Sequence, residues 1–357
     1  MNVLFVYYIP SGGVETLNRQ RAAALKQRNM NCHFLYYVKK REMVNAHDGP
    51  VFITNNDHEI KQILHEGNYS AIIITSDYKG LARFRSLGYQ GKLIFEIQGF
   101  GPQHIARAEL MEAIPYVAVH GDGILTSETP HIIQILQELY PSFPKFIFHN
   151  CFDTGAFSYK ALPKSNKPII AWIGRIEENK NWQEFLEIGH QLISEHNPNI
   201  QLYMFEDATL SAPEERKKFQ KMIKRLNLEQ NLIVHSNVPH DQMAEYFSII
   251  GDSGGFLCST SKVESFGYAI VEAMSCRCPV VTTDSDGVRS SVIHNRTGKY
   301  YTLGNIDQAV REAKELMTND ALRKRICSTA FRHVKTNFSP ERYAKNFSKM
   351  LKNLGVQ

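Results

Sequence analysis

Apolar residues in this chain come in short unbroken runs, and between the runs the pattern shifts to helical spacing. NVLFVYY (2–8) leads to a helical stretch at 14–26. CHFLYYV (32–38) and VFIT (51–54) lead to one at 57–66, AIIIT (71–75) to one at 79–87, and KLIFEI (92–97) follows. The second half repeats the rhythm: PIIAWIG (168–174) before a helix at 181–195, QLYMF (201–205) before 213–226, and LIVH (232–235) before 241–250. GFLCS (255–259) comes before a helix opening near Gly267, and PVVTT (279–283) follows it. Strands with no polar alternation are buried on both faces, and strand–helix alternation predicts parallel sheets covered by helices. The expected fold class is α/β, with two doubly wound, Rossmann-like domains.

The stretch YKALPKSNKP (159–168) is polar, holds two prolines and precedes a fresh strand, so it reads as the linker. It sets one domain at 1–163 and the other at 164–338. Ser339-Pro340-Glu341 is a helix start, and the terminal segment 339–357 is expected to return to the first domain.

Composition narrows the function classes. The 357 residues suit two domains, and 43% hydrophobic with 22% charged residues is a globular balance. A net charge of +5 with no dense basic stripe argues against a nucleic-acid partner and suits an anionic small ligand. No run reaches the roughly eighteen apolar residues of a membrane span. MNVLFVYYIP reads as a buried strand and not as a signal peptide, so a cytoplasmic location with reduced cysteines is expected.

Ligands of open α/β sheets bind beyond the carboxyl ends of the strands, so chemistry is sought in the strand-to-helix loops. Three loops carry it. Gly12 and Gly13 let backbone approach a ligand at a helix start, where free N–H groups suit a phosphate; a plain tight turn reads as well. Arg175 and Lys180 follow strand 168–174 and could neutralise a diphosphate, one as a planar fork and the other as a point charge; solvated surface cations are the alternative. In VESFGYAIVEAM (263–274), Glu264 lies before a helix that begins near Gly267. Glu272 lies inside that helix, where a carboxylate among Ile270, Val271 and Ala273 needs a partner, and a ribose diol is a good one. An exposed helix face for Glu272 and a capping role for Glu264 are the structural alternatives.

Together the three loops resemble glycosyltransferase family 4, the retaining sugar-nucleotide transferases of the GT-B fold. G-G-x-E, G-R-x(4)-K and E-S-F-G-x(4)-E-A-M followed by P-V-V all match its pattern. HNCFDTGAF (149–157) and ILTSE (124–128) match more loosely, so that the likeness spans nearly the whole chain. The resemblance implies two domains facing a central cleft, the first on the acceptor side and the second binding the donor. It implies that Arg175 and Lys180 hold the donor diphosphate, that Glu264 faces the donor sugar, and that Glu272 holds the ribose. Backbone at Ser265, Phe266, Gly267 and Tyr268 would hold sugar and phosphate, with Gly12 and Gly13 approaching from the other domain. No metal and no cofactor are implied, the nucleotide-diphosphate sugar being a substrate, with a UDP-sugar the leading expectation. Four positions depart from the family pattern. Gln98 stands where a His is common, with His120 near it in sequence but out of register. Asn181 and Cys278 each replace a Gly, and Arg289 replaces a Glu.

Three motifs are set aside. Gly251-Asp252-Ser253-Gly254-Gly255 spells a serine-protease nucleophile motif in the wrong fold and reads as a helix-to-strand turn. Asp284-Ser285-Asp286 resembles a metal-binding pair but reads better as a loop or cap. Cys276 and Cys278 lack further ligands at zinc spacing.

The expected function is a retaining, metal-independent glycosyltransferase of the hexosyl type in glycan, glycolipid or glycoconjugate biosynthesis. A sugar-nucleotide 2-epimerase of the same fold and a non-catalytic transferase-like subunit are the rivals. The acceptor (sugar, glycolipid or small molecule) and the oligomeric state are not written in the pattern. Lys39-Lys40-Arg41 and the stretch Lys79 to Lys92 could touch an anionic membrane at its cytosolic face, although a solvated face is the weightier reading.

Overall fold

The computed structural model describes residues 1–39, 42–43 and 45–356, with Asp286 described by its backbone alone. The elements run β1 (Asn2–Tyr7), α1 (Gly12–Lys26), β2 (Asn31–Tyr36), β3 (Val51–Ile53), α2 (Asp57–Gly67), β4 (Tyr69–Thr75), α3 (Tyr78–Ser86), β5 (Lys92–Ile97), α4 (Gln103–His120), β6 (Gly123–Thr126), α5 (Pro130–Leu139) and β7 (Lys145–Ile147). They continue with β8 (Ile169–Ile173), α6 (Trp182–Glu195), β9 (Gln201–Glu206), α7 (Pro213–Arg225), β10 (Leu232–Ser236), α8 (His240–Asp252), β11 (Phe256–Ser259), α9 (Tyr268–Ser275), β12 (Val280–Thr283), β13 (Lys299–Tyr301), α10 (Ile306–Thr318), α11 (Asp320–Asn337) and α12 (Pro340–Asn353). The chain divides into two compact units, Met1–Asp153 with Asn337–Gln357, and Thr154–Thr336.

The first unit holds one sheet in the order β3-β2-β1-β4-β5-β6-β7, every pair parallel. Successive strand residues face opposite ways, and both ways are covered. Val3, Phe5, Ala71 and Ile73 pack with α1 and α12, through Leu25, Tyr343, Phe347 and Leu351. Leu4, Val6, Ile72 and Ile74 pack with α2 to α5, through Ile60, Leu81, Leu110 and Ile135. Ser339 caps α12 by accepting from the Arg342 N–H, with Pro340 in its first turn. The helix α4 was absent from the expected pattern. Its buried Ala106, Leu110, Ala113 and Val117 are masked by apolar residues on its exposed side, Ile105, Met111 and Val119, and it carries Pro115.

The second unit holds a sheet in the order β10-β9-β8-β11-β12-β13, again parallel throughout. Its core is built on Trp172, Trp182, Phe185 and Leu202. The expected boundary after residue 163 lies instead after Asp153. The ten residues that move are bound to the second unit: Phe157 packs on Phe247, the Tyr159 hydroxyl donates to Asp252 at 2.9 Å, and the Lys160 N–H donates to Ser248 at 3.0 Å. The later crossing falls after Thr336, two residues ahead of the expected one. GDSGG is the turn from α8 to β11, and a Cβ on Gly255 would lie 1.7 Å from the Ile169 carbonyl oxygen.

The described cations of the basic stretches are paired. Lys39 bonds Glu42, Lys79 bonds Glu112, Arg83 bonds Asp57, and Arg85 and Lys92 share Asp122. Lys40 and Arg41 lie outside the described residues. All six cysteines are free, and no helix among the described residues is long and apolar enough to cross a membrane.

One charge pair lies wholly inside the first unit. Arg21 on α1 and Glu96 on β5 are 0% and 1% exposed at the side chain, with Nη1 at 2.7 and 2.9 Å from the two carboxylate oxygens. Thr75 donates to the same carboxylate at 2.6 Å, and the guanidinium lies 3.8 Å from the Phe5 ring centre. Removing one member leaves the other charged and dry. Glu96→Ala is therefore expected to cost about 3–5 kcal/mol in urea unfolding followed by far-UV circular dichroism, and a loss under about 1 kcal/mol would mean the pair behaves as a surface one.

Candidate active site

Because every strand pair in the second unit is parallel, the loops after β8 and β11 emerge on the same sheet edge. They are joined to each other. The Lys262 N–H donates to the Asn179 carbonyl at 2.8 Å, and the Asn179 side chain exchanges hydrogen bonds with the Val263 backbone, both at 3.2 Å. Thr260 donates to the Lys180 carbonyl at 2.9 Å, and the Trp172 indole donates to Thr260 at 3.0 Å. Two motifs 84 residues apart in sequence thus form one surface, and Lys180 Nζ lies 2.8 Å from Glu264 Oε2. Both side chains are about one-fifth exposed, so the pair is open to a ligand. Arg175 stands next to this turn, half exposed, 3.1 Å from Glu177.

Two backbone features shape the loops. Asn181, directly after Lys180, has φ 51°, and its side chain donates to Glu184 at 2.7 Å. This left-handed geometry explains why the resembled pattern has Gly there; Asn tolerates it better than other side chains do. Gly267 caps α9 with φ 75°, and the carbonyl of Glu264 accepts from the Gly287 N–H at 3.1 Å. Phe266 and Tyr268 are buried against each other, ring centres 4.9 Å apart, so their side chains support the loop and only their backbone is offered to a ligand. Ser265 is half-buried between Glu264 and this pair.

Glu272 is 5% exposed, which removes the exposed-face alternative. Its partner is His240 at the start of α8, whose Nε2 lies 2.7 Å from Oε1 and whose ring packs on Phe157 at 4.9 Å. Sequence reading missed His240. The signal was present, because it opens the helix after β10, on the edge where ligands of such sheets sit. Glu264 and Glu272 therefore occupy different surroundings, one with a lysine and the other with an imidazole.

In the first unit, Gly12 (φ 77°) and Gly13 open α1 beyond the carboxyl end of β1, and a Cβ on Gly12 would meet nothing within 4 Å. Glu15 behind them is held by Arg19 Nε at 2.7 Å. Gln98 follows β5 on the same edge. Its amide donates to Glu96 at 3.2 Å and exchanges hydrogen bonds with Asn150 at 3.2 and 2.9 Å, so the buried Arg21–Glu96 pair fixes its orientation. His120 is not brought to Gln98. It ends α4 ahead of β6, at the amino edge of the sheet, where its carbonyl accepts from Arg85 at 3.2 Å. A helix returning along a parallel sheet delivers its last residue to the opposite edge from the one it left, and His120 is dropped as a sugar or acceptor contact.

No group of three His, Cys, Asp or Glu among the described residues is placed to hold a metal ion. Asp284 is paired with Arg289 at 2.9 and 3.0 Å. Cys276 and Cys278 are buried, and burial pushes the Cys276 thiol up to about 12, the wrong direction for a thiolate ligand.

Residues 156–333 match the family described as glycosyl transferases group 1. The match runs nearly the whole length of the second unit. Among curated proteins, the sucrose synthase of Solanum tuberosum is 28% identical over 148 residues, 38% of this chain and 18% of that protein. The 2-deoxystreptamine N-acetyl-D-glucosaminyltransferase of Niallia circulans is 21% identical over 181 residues, 51% of this chain and 44% of that protein. The chain thus spans less than half the length of these relatives. Over the whole chain, the Anabaena HepE structure with UDP and glucose has a TM-score of 0.81 at 18% identity, covering 99% of this chain and 100% of that one. That likeness establishes the GT-B fold class. The group 1 match takes in Arg175, Lys180, Glu264 and Glu272 together with His240.

His240→Ala leaves the buried Glu272 carboxylate without its one hydrogen-bonding side-chain partner among the described residues. It is expected to lower stability by about 1–3 kcal/mol in denaturant unfolding read by tryptophan emission, since Trp172 and Trp182 both lie in this unit. His240→Gln, which keeps a donor, is expected to recover part of the loss; equal losses for both would assign the effect to ring packing on Phe157.

Proposed function

We propose that the chain transfers a sugar from a nucleotide-diphosphate donor, a UDP-sugar first among them, to an acceptor hydroxyl, with retention at the sugar carbon and without a metal. The observation that carries this is the junction of the two loops of the group 1 unit, where Lys180 and Glu264 meet at 2.8 Å beside Arg175. When the bond from the sugar carbon to the diphosphate breaks, negative charge grows on the phosphate and positive charge on the sugar ring. Arg175 and Lys180 supply fixed cations for the first, and preorganised charge is often the largest catalytic term. Glu264, sharing the lysine, faces the sugar and accepts from its hydroxyls. Glu272, oriented by His240, accepts from the ribose. The backbone from Ser265 to Tyr268 is the remaining donor contact.

In this reading no covalent nucleophile is used, Glu264 being tied to Lys180 and Glu272 to His240. The reading is therefore same-face attack, the acceptor hydroxyl giving its proton to the departing phosphate oxygen as the new bond forms. The two cations take over the charge neutralisation that a divalent ion gives in other transferases. Gly12, Gly13 and Gln98 belong to the first unit, the acceptor side in this reading. The Anabaena HepE complexes with UDP and glucose and with UDP-glucose support the donor class.

Lys180→Ala and Arg175→Ala are each expected to lower kcat/KM for UDP-sugar turnover about 10²–10³-fold, in an assay of UDP release with and without candidate acceptors. Glu272→Ala is expected to act mainly on the donor KM. Full activity in all three variants would remove this site. Product NMR reads the anomer: retention is expected, inversion would exclude same-face attack, and isomerised donor with no transfer would indicate an epimerase.

A further inference from the structure

The amino edge of the second sheet carries a feature that sugar transfer does not use. A cavity of about 650 Å³ lies beside the starts of β8, β11 and β12. Since the strands are parallel, this is the sheet edge opposite to Arg175 and Glu264. Five cations line it: Lys164, Arg277, Arg323, Lys324 and Arg332. The lining has two carboxylates, Asp252 and Asp320, and Asp252 is bonded by the Tyr159 hydroxyl at 2.9 Å. None of the five cations has a carboxylate partner within ion-pair distance among the described residues. The basic stretches of the first unit differ in this respect, because each of their described cations from Lys79 to Lys92 is paired.

Three of the five make contacts within the fold, Arg332 through one 3.4 Å hydrogen bond from Nε to the Ser328 carbonyl. Arg323 donates to the carbonyls of Gly251 (2.6 Å), Gly254 (3.1 Å) and Gly255 (2.6 Å), which fix the guanidinium without neutralising it. Arg277 has φ 58°, a left-handed conformation disfavoured for a residue with a Cβ, and its guanidinium lies 4.7 Å from the Tyr159 ring centre. A glycine would relieve the backbone at that turn, yet the position carries a cation that lines the cavity. Like charges gathered around one concavity repel unless an anion joins them. The volume lies in the range of small-molecule sites.

We propose that this cavity binds a phosphate-bearing small molecule, at a site separate from the sugar-nucleotide site. The phosphate is held by Arg277, Lys324, Arg332 and Lys164, with Arg323 as a fixed cation at the cavity floor. Guanidinium groups suit phosphate because they present paired donors.

The test uses the full chain with pyrophosphate as the probe and calorimetry at low salt. The Arg175→Ala/Lys180→Ala variant removes the donor-site cations, so that binding left in it reports the cavity. Saturable pyrophosphate binding in that variant is expected, weakened at least tenfold on adding Arg277→Gly and Lys324→Ala. Both added changes are at exposed side chains, and Arg277→Gly relieves the left-handed backbone, so the chain is expected to keep its melting temperature. Absence of saturable binding in the donor-site variant, or unchanged affinity after the cavity substitutions, would overturn the proposal. Failure of the sugar-transfer reading would leave both outcomes readable, because the cavity residues take no part in it.

Discussion

Parallel pairing of every strand is the constraint on which this protein depends. A parallel strand cannot return to its neighbour through a tight turn; it must cross through a helix. Every strand therefore ends on one edge of its sheet, and every strand-to-helix loop opens there. In the second unit this brings Arg175, Lys180 and Glu264 into one junction although they are distant in sequence. In the first unit it puts the Gly12–Gly13 turn and Gln98 on one edge and sends His120 to the other. The amino edges receive the helix ends, and there the second unit gathers cations that have no carboxylate partner among the described residues.

The two units satisfy their buried charges in different ways. The first holds a buried pair, Arg21 with Glu96, with Thr75, Gln98 and Asn150 attached, and Arg21 Nε is its one guanidinium nitrogen without a hydrogen-bond partner among the described residues. Such a network is costly to break and fixes the orientation of one amide at the sheet edge. The second unit leaves Lys180–Glu264 partly exposed and ties the buried Glu272 to a single imidazole. A ligand that brings hydroxyls and phosphates can exchange with the Lys180–Glu264 pair at modest cost, because a solvent-accessible ion pair contributes little to folding.

Much of this was legible in the sequence, for physical reasons. The strands were readable because burial on both faces leaves continuous apolar runs such as Val3 to Val6. The E-x(7)-E segment was readable because a carboxylate inside an apolar helix is rare without a task. Other features left no local trace. The helix α4 hides its period behind exposed Ile105, Met111 and Val119. The link between Asn179 and the 262–263 backbone, and the pairing of His240 with Glu272, are contacts between distant segments that no spacing rule encodes. The linker misled because YKALPKSNKP is polar in composition, while Tyr159 and Lys160 are bonded to α8. The turn at Asn181 shows the converse: a departure from the resembled motif that the backbone angle accounts for.

The central claim is that the carboxyl edge of the group 1 unit holds a nucleotide diphosphate between its two cations and Glu272. A thermal-unfolding panel of UDP, GDP and ADP, each with and without a sugar attached, tests it directly. A ligand at about a hundred times its Kd stabilises the folded chain by about 2.7 kcal/mol through mass action. The account predicts a clear rise in Tm with the UDP forms, lost on Lys180→Glu and reduced on Glu272→Gln. An unchanged Tm across all six compounds, or an equal rise in the Lys180→Glu variant, would contradict it.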